Sequence, residues 1–277
     1  MSVPNWSRAN LVAPSNAISM KEVLFDNIIF GPIASRRLGR SLGVNLLPVD
    51  IKFCNFDCLY CECGWTKVQE LHHEHLPESS AIIKRLIEEI KKLQHAGETI
   101  DSITFAGNGE PTLHPQFASI AHDVILVRDL LLPEVELSIL SNGTMLHKDE
   151  VREAMMRFDN CILKLDAGTE DTFQLINRPL GGVHLEKITD QYAKFRDKLT
   201  IQTLFFKGKY HGVQVDNTSE KELSIWLRRI AAIRPKRGML YSLDREIPAQ
   251  GLEQINTKTL NQIATQVRKM GIEALVA

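Results

Sequence analysis

Short apolar runs alternate along the chain with longer segments in which apolar residues recur every three or four positions. The short runs predict strands at residues 43–47, 102–106, 136–140, 161–165, 199–205 and 238–243. Most of them are apolar at successive positions rather than at alternate ones, which is typical of strands covered on both faces of a sheet. The pattern therefore predicts a buried, largely parallel sheet.

The longer segments predict amphipathic helices between these strands. One follows Pro77, with Ile82, Leu86 and Ile90 on one face and charged residues on the other. A second begins at Ser219, where Glu222 completes a capping box. Further helices are predicted at residues 116–129, 148–158, 169–175, 185–198 and 258–270. Repeated strand–helix units demand parallel pairing with right-handed crossovers, so the fold is α/β, and periodicity leaves open a barrel or a flat wound sheet.

Composition places limits on function. The 277 residues, 44% of them hydrophobic, suffice for one large core, and a net charge of −1 does not favour a nucleic-acid partner. We find no apolar stretch long enough for a membrane span, and residues 1–20 lack the apolar core of a signal peptide, so we expect no membrane partner and a cytoplasmic location. Four of the five cysteines lie between positions 54 and 63, which indicates metal binding rather than disulfides.

Cys54, Cys58 and Cys61 have C-x3-C-x2-C spacing. Four cysteines make a closed iron–sulfur cluster, whereas three in one loop leave one iron of a four-iron cluster free to bind a small molecule. Zinc sites usually combine two separated pairs of ligands, and this sequence has no second pair. A non-catalytic zinc or closed-cluster module that also uses Cys63 is the alternative.

This cysteine loop, with Tyr60 before its third cysteine, resembles that of the radical S-adenosylmethionine (SAM) superfamily. Residues 107–111 (Gly-Asn-Gly-Glu-Pro), directly after the second predicted strand, resemble the superfamily's GGE motif, which holds the methionine amino group of SAM. Asn108 stands where a glycine is frequent. The resemblance implies a [4Fe-4S] cluster and SAM as cofactors, reductive cleavage of SAM, and hydrogen abstraction from the substrate by a 5′-deoxyadenosyl radical.

Further segments sharpen the resemblance to the Fe-S oxidoreductase group related to the wyosine-synthesis enzymes that modify tRNA. They lie at residues 31–43, 108–112, 141–143, 165–167, 178–179 and 243–245. The resemblance implies a partial (β/α)6 TIM-like barrel of the radical SAM type. No cysteine precedes Cys54 to hold a second cluster, so a tRNA substrate does not follow; nucleic acid is left open but not favoured.

We assign site residues from these motifs. Cys54, Cys58 and Cys61 are the predicted metal ligands, and the predicted SAM-binding residues are Tyr60, Gly107, Asn108, Gly109, Glu110, Ser141, Asn142 and Asp166. Arg36, Arg37 and Arg40 are predicted substrate contacts, because guanidinium groups suit carboxylates and phosphates. Lys164, Gln202, Tyr241 and Arg245 are predicted substrate contacts because they lie on or at the ends of the predicted strands. Surface ion pairs are the alternative for the arginines, and a local salt bridge or helix cap for Lys164 and Asp166. No catalytic residue is assigned.

The sequence thus predicts a radical SAM enzyme with an unidentified substrate and an external electron donor, a flavodoxin or a ferredoxin. An activating enzyme that acts on a protein partner is a second alternative. We expect an N-terminal extension at residues 1–24 and a single radical SAM domain at residues 25–277.

Overall fold

A curved, mostly parallel sheet forms the centre of the molecule. The fold is that of a computed structural model, and the structure describes residues 23–73, 76–195 and 198–277. The predicted N-terminal extension therefore lies almost wholly outside the described residues. The strands are β1 (Ile29–Ser35), β2 (Gly39–Val44), β3 (Ser102–Phe105), β4 (Glu136–Ser141), β5 (Asn160–Lys164), β6 (Leu199–Tyr210), β7 (Val213–Asp216), β8 (Arg237–Ser242), β9 (Leu252–Gln254) and β10 (Glu273–Val276).

The order of strands in the sheet is β1-β2-β3-β4-β5-β6-β8-β10. Neighbours from β2 to β10 are parallel, whereas β1 is antiparallel to β2. β7 and β9 pair antiparallel with the long β6. Within the described residues β1 and β10 are the two ends of the sheet, so the barrel is open on that side. This confirms the predicted α/β partial barrel.

Helices follow the parallel strands as crossover connections. They are α1 (Ser79–His95), α2 (Phe117–Leu131), α3 (Asp149–Met155), α4 (Glu170–Ile176), α5 (Leu185–Tyr192), α6 (Glu220–Ile233) and α7 (Thr257–Arg268). In α1 the buried residues include Ile82, Leu86 and Ile90, as the sequence pattern predicts. Ser219 caps α6 by accepting a hydrogen bond from the amide of Glu222. Each helix thus places its apolar face on the sheet.

The sequence pattern located the parallel strands but not the edges of the sheet. β2 begins four residues earlier than predicted and ends at Val44, where the chain turns into the cysteine loop. β1, β7, β9 and β10 were not predicted. β1 contains Gly31 and Pro32, residues that are depleted in strands and tolerated at an edge. The six predicted strand–helix units are present, and β10 adds a seventh parallel strand after α7.

One large apolar cluster lies between the sheet and the helices, and its buried members extend from Leu42 to Ala274. Trp226 of α6 and Tyr192 of α5 are its largest fully buried side chains. None of the helices in the described part of the chain is long and apolar enough to span a membrane.

Asn217, in the loop after β7, fastens the carboxyl end of β5 to β6. Its side-chain amide donates to the carbonyl oxygens of Asp166 (2.9 Å) and Leu204 (2.8 Å), and its oxygen accepts from the amide of Phe206 (2.9 Å). The side chain is buried. These three hydrogen bonds hold the backbone at Asp166 in a fixed position relative to β6.

We expect Asn217→Ala to lower the free energy of unfolding by about 2–4 kcal/mol, because three buried backbone groups lose their partner. Asn261→Ala is the matched control: the side chain of this exposed asparagine of α7 donates to the carbonyl of Thr257, and its loss should cost about 0.5 kcal/mol or less. Denaturant unfolding followed by circular dichroism measures both. Equal effects in the two variants would contradict this role for Asn217.

Candidate active site at the carboxyl ends of the strands

A cavity of about 410 Å³ opens among the strand ends and brings most of the predicted residues together. Its lining contains all three predicted metal ligands and most of the predicted SAM and substrate residues. They are Cys54, Cys58, Cys61, Tyr60, Gly107, Gly109, Glu110, Ser141, Asn142, Arg37, Lys164, Gln202, Tyr241 and Arg245. Asn108, Asp166, Arg36 and Arg40 are predicted site residues that are not among the lining residues.

The cysteine loop is held against the end of α4 and the residues that follow it by backbone hydrogen bonds. The amide of Leu59 donates to the carbonyl of Ile176 (3.0 Å), and the carbonyl of Asn55 accepts from Leu180 (2.8 Å). Inside the loop, Asp57 accepts a hydrogen bond from the amide of Thr66 (2.6 Å). Bonds at both sides of the cysteines keep the loop in one conformation with its thiols toward the cavity.

Burial controls the protonation of these thiols when no metal is bound. It raises the pKa of Cys54 well above its usual value, and that of Cys58 to about 11. A hydrogen bond from the neighbouring Cys63 thiol lowers the pKa of Cys61. Metal binding releases the protons of such thiols, because the thiolate is the ligand.

Lys52 is a buried cation in the wall of the cavity that the sequence analysis missed. Its ammonium group donates to the carbonyl of Gly64 (2.8 Å). Burial opposes its charge, but the nearby Cys61, Cys54 and Cys58 raise the pKa of Lys52 above its usual value. It therefore offsets negative charge on the cysteine loop. A lysine in a loop gives no sequence signal of this kind, since most lysines are exposed.

The two glycines of the 107–110 segment are required by close contacts, with the Asn45 side chain at Gly107 and with the Phe53 backbone at Gly109. Gly107 and Gly109 have φ angles of +149° and +141°. A Cβ atom at Gly107 would lie 2.3 Å from Oδ1 of Asn45, and one at Gly109 would lie 2.0 Å from the carbonyl oxygen of Phe53. A side chain would displace Asn45 at the first position and the Phe53 backbone at the second, and both φ angles disfavour residues other than glycine, so the segment presents bare backbone to the cavity.

Asn108, a predicted SAM-binding residue, is not among the residues that line the cavity. Its side chain is fully buried and bonds to the backbone of Phe25 in both directions (2.8 and 2.9 Å) and to the carbonyl of Pro48 (2.9 Å). All of these partners are protein groups, and the side chain points away from the cavity lining. Where the superfamily motif often has a glycine, this chain has Asn108, whose side chain holds the residues before β1 in place by hydrogen bonds.

Glu110 joins the ends of β3 and β4 through its buried carboxylate. One oxygen accepts hydrogen bonds from Ser141 Oγ (2.8 Å) and from both the amide (3.1 Å) and the hydroxyl of Thr112; the other accepts from the amide of Asn142 (2.6 Å). A carboxylate has about four acceptor positions, two on each oxygen. The second oxygen therefore retains capacity for a cationic group that enters the cavity.

Tyr60, Asp166 and Asn177 form a buried network behind Cys58. The Tyr60 hydroxyl donates to Asp166, and the Asn177 amide lies 2.9 Å from the same carboxylate oxygen and 3.5 Å from the sulfur of Cys58. Asp166 is not itself a lining residue, but it holds the lining residue Tyr60 in place through this hydrogen bond. Asn177 was not predicted, because nothing in the sequence marks an asparagine that follows a helix as a neighbour of a cysteine 119 positions away.

Lys164 and Arg37 contribute positive charge to the wall. Nζ of Lys164 lies 3.5 Å from Asp166, so the local salt bridge considered from the sequence is present, and it also lies over the Tyr60 ring, 4.9 Å from its centroid. Burial opposes the charge of Lys164, but Asp166 raises its pKa above the usual value. Arg37 lies over the Tyr241 ring, with 5.0 Å between the guanidinium carbon and the centroid.

The other arginines form the surface ion pairs that were the alternative interpretation. Arg36 pairs with Asp244 (2.6 Å) and Arg40 with Glu98 (2.6 Å), and all four side chains are exposed. Neither arginine is among the lining residues of the cavity, so their role as substrate contacts stays a prediction without support from this geometry. Arg245 lines the cavity but pairs with Glu62 (2.7 Å).

No group of three or more His, Cys, Asp or Glu side chains converges on a single metal-ion position within the described ranges. Ligands of a four-iron cluster each bind a different iron and need not converge on one point, whereas zinc thiolates lie about 2.3 Å from a single ion. The zinc alternative with Cys63 therefore gains no support from these residues.

A family model described as the radical SAM superfamily matches residues 49–210. Among curated relatives, "GTPase Obg" of Brachyspira hyodysenteriae is 30% identical over 254 residues, 89% of this chain and 34% of that protein. A "UPF0026 protein" of Methanocaldococcus jannaschii is 35% identical over 204 residues, 71% of this chain and 60% of that protein. The chain thus spans about a third and three fifths of these two relatives. A "UPF0026 protein" of Synechocystis is 30% identical, with 80% of this chain and 77% of that protein covered.

Three solved structures share the fold. A radical SAM methyltransferase from Sphaerobacter thermophilus has a TM-score of 0.62 at 16% identity and covers 86% of this chain and 65% of that one. TYW1 with a lysine-pyruvate adduct bound has a TM-score of 0.58 at 15% identity, with 83% and 73% covered. Native anSMEcpe with bound AdoMet has a TM-score of 0.55 at 13% identity, with 85% and 63% covered.

The buried Glu110 gives a prediction about pH. Burial raises the pKa of Glu110 above its usual value, despite hydrogen bonds from Asn142, Thr112 and Ser141 that lower it. The folded state therefore holds this proton more tightly than the unfolded state, and the contribution to stability is present below the unfolded pKa and lost as pH rises through the folded pKa.

We expect the free energy of unfolding of wild type, minus that of Glu110→Gln, to fall as pH rises above about 4.3, by at most about 1.4 kcal/mol per pH unit. Urea unfolding at half-unit steps from pH 4.5 to 7.5 measures it. Glu222→Gln, a substitution of another buried glutamate, is the matched control for the loss of a buried carboxylate outside the cavity. A difference that rises with pH would contradict the raised pKa.

Proposed function

This chain belongs to the radical SAM superfamily, and we propose that Cys54, Cys58 and Cys61 hold its [4Fe-4S] cluster while residues 107–110 hold SAM beside it. The observation that carries the proposal is that the three thiols and the Glu110 carboxylate line one cavity at the carboxyl ends of parallel strands. Ligands of α/β barrels bind at this end. When both cofactors are bound, they would supply the chemistry: reductive cleavage of SAM and removal of a hydrogen atom from the substrate.

The donor set fits these cofactors. Three thiols leave one iron of a four-iron cluster without a protein ligand, and the buried Lys52 offsets the charge of the thiolates. Glu110 has an acceptor position left for the SAM ammonium group, and the absence of side chains at Gly107 and Gly109 allows close approach to the backbone. Ser141 and Asn142 hold the Glu110 carboxylate in place, so we assign them a positioning role.

The remaining wall restricts water and orients the substrate. Apolar side chains from several strands, including Leu140, Ile162, Leu204 and Met239, line the same cavity. A site of this kind shields reactive species from side reactions with solvent. The protein's contribution is therefore orientation, charge balance and exclusion of water, whereas the cofactors carry the bond-breaking chemistry.

We also propose that residues 25–277 form one radical SAM domain and that an external flavodoxin or ferredoxin reduces the cluster. This chain matches only part of its longer relatives, so their activities, substrates and partners are not transferred to it. No described contact favours the protein-activating alternative over a small-molecule substrate.

Cys58→Ala tests the cluster. After anaerobic reconstitution with iron and sulfide, we expect the variant to lose most of its cluster absorbance and iron and to form no 5′-deoxyadenosine from SAM with dithionite. Cys161→Ala is the matched control, since Cys161 is a buried cysteine of β5 outside the cavity lining. Wild-type protein that forms a cluster but neither binds nor cleaves SAM would refute the proposal.

Glu110→Gln tests the SAM site separately from the cluster. We expect iron content to be retained and the Kd for SAM to rise roughly 10- to 100-fold, because a hydrogen bond between two charged groups is lost. Equilibrium dialysis with labelled SAM measures this. Glu222→Gln again serves as control, because it removes a buried carboxylate that bonds to Gly168 and Thr169 outside the cavity. Equal SAM affinity in wild type and Glu110→Gln would exclude Glu110 from the site.

A further inference from the structure

In the described part of the chain the cavity wall contains four cations, and three of them are paired with a carbonyl or a carboxylate. Lys52 bonds to the carbonyl of Gly64 and lies among the thiols, Lys164 pairs with Asp166, and Arg245 pairs with Glu62. Arg37 is different: its Nη1 is buried and has no hydrogen-bond partner in the described part of the chain. A buried guanidinium nitrogen without a partner is costly. Because Arg37 lines the cavity, this nitrogen is suited to bind an acceptor group that enters there.

The position of Arg37 is built by its neighbours. The Ser35 hydroxyl accepts hydrogen bonds from the amides of Arg37 (3.2 Å) and Leu38 (3.1 Å) and so shapes the turn between β1 and β2. The guanidinium group lies over the ring of Tyr241, with 5.0 Å between the guanidinium carbon and the ring centroid. Stacking on an aromatic ring restricts the orientation of the guanidinium group and leaves its edge free for hydrogen bonds.

Tyr241 connects this arginine with Lys164. Burial raises the pKa of the Tyr241 hydroxyl, while the charge of Lys164 and both the charge and a hydrogen bond of Arg37 act in the opposite direction. One hydroxyl donor and two cations therefore meet at this part of the wall. The neighbouring lining is largely apolar and includes Ile33, Leu38, Leu204 and Met239.

We propose that the substrate carries an oxyanion, a carboxylate or a phosphate, on an apolar body, and that Arg37 binds this oxyanion with support from Tyr241 and Lys164. The inference rests on the proposed function and names the class of its substrate. A guanidinium group matches both oxyanions because it donates two parallel hydrogen bonds. Glu110 also lines the cavity and suits a cation, so Arg37 and Glu110 would bind groups of opposite charge.

SAM has a carboxylate of its own, and the same arginine could receive it. The two sources differ in one respect: a substrate oxyanion binds together with SAM, whereas the SAM carboxylate excludes a second anion from Arg37. Simple probes can separate these cases. Inorganic phosphate and acetate represent the two oxyanions, and acetamide is the uncharged counterpart of acetate.

The test is calorimetric titration of the reconstituted protein with each probe at constant ionic strength, with and without saturating SAM. We expect phosphate or acetate to bind both with and without SAM, and acetamide to bind in neither condition. Arg37→Met and Arg37→Gln should each raise the Kd for the anion at least tenfold. Arg36→Met is the matched control, since this neighbouring arginine is exposed and pairs with Asp244, and it should bind the anion like wild type. Thermal unfolding checks that each variant is folded.

Several outcomes would overturn the proposal. They are a wild type that binds neither anion, equal anion affinity in wild type and both Arg37 variants, or a loss in Arg36→Met as large as in Arg37→Met. Competition between SAM and the anion, together with weaker SAM binding in Arg37→Met, would assign Arg37 to the SAM carboxylate instead. Failure of the proposed function is a separate result. It would appear as the absence of 5′-deoxyadenosine formation by wild-type protein, whether or not the anion binds.

Discussion

Two backbone hydrogen bonds between Phe53 and the 108–110 segment hold the candidate site together. The amide of Phe53 donates to Asn108 (2.8 Å), and its carbonyl accepts from the amide of Glu110 (3.0 Å), so the start of the cysteine loop pairs with the segment after β3 as a short parallel bridge. This pairing leaves no space for a side chain at Gly109. Both halves of the site, thiols and carboxylate, therefore take their positions from one contact that only glycine permits.

Charge burial explains why the surrounding network is so extensive. Glu110, Asp166, Lys52 and Lys164 are all buried or lie in the cavity wall, and burying an ion without partners costs several kcal/mol. Glu110 consequently accepts four hydrogen bonds, and the Asp166 carboxylate receives the Tyr60 hydroxyl, the Asn177 amide and the amide of Leu204. A wall held in this way does not need to reorganise when a charged ligand enters, which is the condition for efficient electrostatic stabilisation.

The sequence predicted what depends on local pattern and did not predict what depends on distant neighbours. Six of the seven parallel strands, α1, α6 and the two motif loops followed from apolar periodicity, capping and spacing. β1 and β10 were missed because an edge strand with Gly31 and Pro32 and a four-residue strand have weak signals. Lys52 and Asn177 were missed because their partners lie in other loops, and Arg36 and Arg37 could not be told apart because the direction of each depends on the hairpin turn.

Asn108 makes the segment before β1 part of the same cooperative unit as the 107–110 loop. Phe25 bonds to Asn108 and stacks on Phe30 (3.7 Å between centroids), while the amide of Val23 donates to Glu62 in the cysteine loop (3.0 Å). Coupling free energies are reciprocal. A ligand that stabilises the 107–110 loop therefore also protects residues 23–30 from local unfolding. The rate of proteolysis at residues 23–30 would then measure whether the cavity is occupied, although the protease does not enter the cavity.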